Sequence, residues 1–64
     1  MSNNIKAIRK AKGISQKDLA FMVGVSGPYI HDLENEARGA KPETLEKIAA
    51  ALGVTIDQLI GKAG

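Results

Sequence analysis

Glycines at positions 13, 24, 39, 53 and 61 cut this 64-residue chain into short segments, and that punctuation constrains the fold more than any other feature. Between the glycines, apolar residues recur every three or four positions. Period-two alternation is nowhere sustained, so the spacing predicts short helices and no sheet. A chain of this length is one domain, residues 1–64, and at such a size folding buries only about 60% of the surface of the unfolded chain. Cysteine is absent. Neither a disulfide nor a thiolate zinc site braces the fold, and helix packing has to supply the stability.

The first helix is expected over about 4–12, with Ile5, Ile8 and Arg9 on one face and Gly13 ending it. Ser15 suits the N-cap of a second helix over about 16–23, with Asp18 favourable to the helix dipole and Leu19, Ala20 and Val23 facing inward. Ser26 suits the N-cap of a third, over about 27–36. Gly27 and Pro28 fall in its first turn, where a missing N–H has no intrahelical partner to lose. A fourth helix starts at Pro42 and carries Leu45, Ile48, Ala49 and Leu52, the stripe of a core-facing helix, before Gly53 stops it. Thr55 and Gln58 form a capping box for a short fifth helix with Ile56, Leu59 and Ile60, ending at Gly61. The longest apolar runs, LAFMVGV and IAAALGV, are too short to span a bilayer, and no signal-peptide pattern precedes them, so a soluble cytoplasmic protein is expected.

The formal charge of +2 hides an asymmetry: residues through Val25 sum to +4, and those from Ser26 onward to −2. A basic front half suits an anionic partner such as nucleic acid. It equally suits a solvated, lysine-rich first helix.

Between Gln16 and Asn35 the chain reads Q-x-x-L-A-x-x-V-G-V-S-x-x-x-I-x-x-L-E-N. Two helices crossing steeply through a short turn need a small residue at the crossing, which Ala20 supplies. They also need a residue tolerant of positive φ in the turn, which Gly24 supplies. Leu19, Val23, Val25, Ile30 and Leu33 fill the wedge between the helices. With these positions set out, the chain resembles the lambda-repressor-like family, the Cro and phage-repressor type of helix-turn-helix also called XRE. KPETLEKIAAALGVTIDQLI resembles that family's fourth and fifth helices, so the likeness covers nearly the whole chain. It implies a compact all-α fold of five helices, with the third lying in the major groove of DNA and the second crossing above the backbone. It also implies that Gln16 and Asn35 grip phosphates, and that Arg9 and Glu34 bridge the first and third helices. The residue pattern agrees on the last point, because Arg9 shares a face with Ile5 and Ile8, and Glu34 follows Ile30 by four residues.

With Ile30 and Leu33 inward, the helical angle puts Pro28, His31, Asp32 and Asn35 on the outward face of the third helix and Gly27 and Tyr29 at its flanks. The resemblance implies that Gly27, Pro28 and Asp32 are the base-reading positions. Two of these have no hydrogen-bonding side chain. What is left is close backbone approach at Gly27, apolar contact of Pro28 with a thymine methyl, and Asp32 accepting from a cytosine amine. Tyr29 either reaches a phosphate or sugar or flanks the core. His31 has no second histidine, cysteine or paired carboxylates at ligand spacing, so it is expected on a phosphate or in solvent, and no metal or cofactor is expected. Ser26, Lys17, Arg38 and Lys41 complete the set of DNA-contacting candidates, with Lys6 and Lys10 adding long-range attraction.

The expected function is a double-stranded-DNA-binding transcriptional regulator, a repressor, acting as a homodimer on a palindromic operator. Ile56, Leu59 and Ile60 are the expected dimer interface. No residue set supports an enzyme. The alternative is a protein-interaction module, antitoxin-like or adaptor, favoured by the acidic outward helix and by Phe21 and Met22, which fall toward the exposed side of the second helix as a candidate protein-partner patch.

Overall fold

Three of the expected helix starts are made by the side chains that the sequence pointed to. In a computed structural model describing residues 4–35 and 40–61, Ser15 Oγ accepts from the Asp18 N–H at 3.0 Å and Ser26 Oγ from the Tyr29 N–H at 3.2 Å. Thr55 Oγ1 accepts from the Gln58 N–H at 3.1 Å while Gln58 Oε1 accepts from the Thr55 N–H at 2.8 Å, a complete capping box. Each such cap is worth about 1 kcal/mol and sets where its helix begins. The helices are α1 (Ile5–Ala11), α2 (Gln16–Val23), α3 (Gly27–Glu34), α4 (Pro42–Leu52) and α5 (Ile56–Ile60). Among the described residues there is no strand.

Two boundaries differ from the expectation. The first helix is shorter by a residue at each end, with Asn4 and Lys12 as its half-in flanking positions. The third is expected to about 36 and ends at Glu34, with Asn35 as its C-cap at φ −97° and ψ 7°. Asn35 Nδ2 donates to the His31 carbonyl at 2.8 Å, the same carbonyl that accepts from the Asn35 N–H at 3.1 Å. Glu36, Arg38 and Gly39 lie outside the described residues.

The turn joining α2 to α3 rests on Gly24, whose φ is 83° and whose N–H donates to the Ala20 carbonyl at 2.8 Å. A Cβ there would meet nothing within 4 Å. Backbone conformation, not space, is what asks for glycine.

Every helix sends at least one large side chain to the centre: Ile5, Leu19, Ile30, Leu33, Ile48, Leu52 and Leu59 are all less than 2% or so exposed. Each is worth about 1.5–3 kcal/mol in apolar burial, and losing any one would open a hole between two helices. Helix α2 packs on α3 and α4, α4 on α5, and α5 on α1. Ile8, Val25 and Leu45, expected inward, are half-buried at the rim of this core, where Ile14, Val54 and Ile56, the last expected at a dimer interface, join them. Ile60 lies outside it at 42% exposure, because the short α5 has one side, occupied by Leu59, to give to the core.

The chain closes on itself through Asn4. Its N–H donates to the Leu59 carbonyl at 2.7 Å and its Nδ2 to the Gln58 carbonyl at 3.1 Å. Carbonyls at a helix C-terminus have no intrahelical partner, so α5 is finished by the residue that precedes α1.

Candidate nucleic-acid interface

The α2–turn–α3 unit is held in one orientation by a buried polar cluster beneath it. Arg9 and Glu34 are 6% and 5% exposed, which only a satisfied pair tolerates. Arg9 Nε donates to Glu34 Oε2 at 2.6 Å, Nη2 to Oε1 at 3.2 Å, and Nη1 to the Ile14 carbonyl at 2.7 Å. Gln16 Nε2 adds a fourth bond, to Glu34 Oε1 at 2.9 Å. Burial pushes the Glu34 carboxyl up. The hydrogen bonds from Arg9 and Gln16, with the charges of Arg9 and Lys6, outweigh that and hold it below its ordinary value. Glu34 is therefore an ion inside the fold, and its charge is spent on Arg9 rather than turned toward a phosphate backbone.

The Gln16 bond was not anticipated. Gln16 sits at the first turn of α2, and only the packing of α2 across α3 brings its amide to the carboxylate that Arg9 already holds. A side-chain amide has a carbonyl oxygen as well as an NH2, so Gln16 is oriented by this bond without being used up.

On the other side of α3 the expected outward face is present. Pro28, His31 and Asn35 are exposed, and Gly27, Tyr29 and Asp32 are half-buried. Tyr29 packs against the core and at the same time borders the outward face. His31 Nδ1 lies 3.8 Å from Asp32 Oδ1, a loose exposed pair. Ser26 is committed as the N-cap. Gly27 has an ordinary helical conformation, and a Cβ on it would meet nothing within 4 Å. The fold does not require glycine there; its effect is to leave the backbone at the start of α3 approachable. Lys17 is exposed on the first turn of α2, and Lys41 is exposed at the N-terminus of α4. Val25, Ser26, Pro28, Tyr29 and Asp32 line a shallow depression at the start of α3, and of these Val25 is expected from the sequence only as a wedge residue of the core.

This arrangement matches a known architecture. A family model described as helix-turn-helix matches residues 5–59. The chain belongs to the helix-turn-helix family, in its lambda-repressor-like form. Among solved structures, this helix-turn-helix domain is similar to the P22 c2 repressor protein in complex with a synthetic operator, at TM-score 0.86 and 33% identity over 94% of this chain and 91% of that one. In sequence it is similar to the immunity repressor protein of Bacillus phage phi105, 34% identical over 62 residues, which are 97% of this chain and 43% of that repressor. It is also similar to the control protein C.MunI of Mycoplasma sp, 36% identical over 58 residues, 89% of this chain and 78% of that protein. The helix-turn-helix chain spans less than half the length of several relatives it matches, the phage repressor among them. Among the described residues no helix is long and apolar enough to cross a membrane.

Proposed function

We propose that this helix-turn-helix domain is a sequence-specific double-stranded-DNA-binding transcriptional regulator, a repressor, that inserts α3 into the major groove. The observation that carries the reading is the outward face of α3. Its first turn has open space beside the half-buried Gly27 and exposes the side chain of Pro28, and Asp32 follows on the same face. Beside it, Gln16 and Lys17 at the start of α2 and Lys41 at the start of α4 are suited to phosphates, which position a protein on DNA without reading its sequence. Similarity to a phage immunity repressor and to a repressor bound to its operator supports the same conclusion. On this reading Asn35 and His31 lie toward the backbone, Arg38 adds a cation suited to phosphates, and the protein is cytoplasmic, without a cofactor or catalytic role. Two copies meet through Ile56 and Ile60 on a palindromic operator, since Leu59 serves the core.

One observation favours a second reading, a protein-interaction module. Phe21 is 87% exposed and Met22 52%, an apolar pair on α2 that the core leaves out. Selection from a pool of random duplexes with the purified chain separates the two. An enriched motif supports the regulator, and a pool that stays random supports the interaction module.

A further inference from the structure

We propose that the depression at the start of α3, lined by Val25, Ser26, Pro28, Tyr29 and Asp32, receives the edge of a 5-methylcytosine and prefers it to unmethylated cytosine. This rests on the reading that α3 enters the major groove.

A carboxylate only accepts hydrogen bonds, so among base edges Asp32 suits an exocyclic amine, the N4 of cytosine or the N6 of adenine. Adenine sets its N7 acceptor beside that amine, and two acceptors facing each other repel. Cytosine carries no second acceptor on its major-groove edge. A carboxylate offers about four lone-pair sites and accepts from more than one donor at a time, so a base amine can be added to the contacts Asp32 already makes.

The remaining wall decides the neighbour of that amine. Pro28 precedes Asp32 by four residues and so stands beside it on one helix face. Pro28 is exposed, has no N–H, and with Val25 and Tyr29 gives the depression an apolar side next to its carboxylate. The atom next to the amine-bearing C4 of cytosine is C5. In cytosine C5 carries only hydrogen, and the apolar wall goes unused. In thymine C5 carries a methyl, but O4 stands where the amine should be and faces the carboxylate. A methylated cytosine presents the amine and the methyl together, matching both walls.

The test uses the full chain and a duplex selected from a random pool, with each cytosine replaced in turn by 5-methylcytosine and by thymine. At one position, methylation should tighten binding about fourfold, the worth of one buried methyl. Thymine at that position should weaken binding by about tenfold or more. Pro28→Ala should abolish the methylation gain and keep cytosine over thymine. Asp32→Asn, whose amide both donates and accepts, should lose the choice between cytosine and thymine and keep the gain. Circular dichroism of both variants checks that they fold. A selected duplex in which no cytosine gains from methylation, or a gain that survives Pro28→Ala, overturns the proposal and leaves the regulator reading standing. A pool that yields no motif defeats both.

Discussion

Arg9 on the first helix grips Glu34 on the third with two hydrogen bonds, Nε to Oε2 at 2.6 Å and Nη2 to Oε1 at 3.2 Å, inside a shell that leaves both side chains buried. Removing one member strands the other. Arg9→Ala should therefore destabilise the fold by about 3–5 kcal/mol. The double variant with Glu34→Ala should recover part of that loss, because it leaves no unpaired charge. Urea unfolding of the two single variants and the double variant measures the coupling, and simple additivity would mean that the pair contributes nothing as a pair.

Glu34 also predicts how stability depends on pH. Its carboxyl is held below the ordinary value of 4.5, so the folded protein takes up that proton less readily than the unfolded chain. The sign follows: this contribution is fully present above 4.5 and is lost as pH falls through the lower, folded value. Compared between about pH 6 and about pH 3, the stability gap between the wild-type chain and Glu34→Gln should hold steady and then narrow on the acid side. A gap that does not change with pH would contradict the assignment.

DNA binding should be dominated by phosphate contacts and fall steeply with salt. Each cation placed on a phosphate contributes a slope of about −0.9 in log K against log salt. Lys17→Ala and Lys41→Ala should each make the slope shallower by roughly that amount, whereas Gln16→Ala should weaken binding without changing it, since an amide displaces no counterion. Fluorescence anisotropy across a salt series reads both quantities. An unchanged slope in the lysine variants would remove those residues from the interface.

Ile60 is the exposed apolar residue of α5, and Ile56 beside it is half-buried. Ile60→Asp should leave the fold intact, since that side chain is not in the core, and should shift a dimer toward monomer, so that binding to a full operator falls toward that of two independent half-sites. Sedimentation velocity with and without DNA tests this. A wild-type chain that stays monomeric on its operator would put the seam elsewhere.

What the sequence determined by itself is what depends on neighbours along the chain. Ser15, Ser26 and Thr55 cap helices because their hydroxyls need only reach an N–H three residues ahead, a contact visible in the spacing. Pro28 and Pro42 open helices, and Gly24 turns the chain, for equally local reasons. The outward face of α3 was legible from a 100° rotation per residue once Ile30 and Leu33 were set inward, and the pairing of Arg9 with Glu34 from the family resemblance. Contacts that depend on where helices cross are not legible in that way. Gln16 meets Glu34 across 18 residues of chain, and Asn4 reaches the Gln58 carbonyl across 54, distances over which no periodicity carries information. Phe21 could have packed on α1 or α4; the crossing of α2 leaves it in solvent. Asn35 is expected to serve a phosphate, yet its side-chain amide also closes α3 on the His31 carbonyl, whose second lone pair lies within reach of a short amide one turn on. Local hydrogen-bonding rules wrote the five helices, and the choice among their possible packings fell to the few side chains that could be buried together without leaving a charge or a carbonyl unpaired.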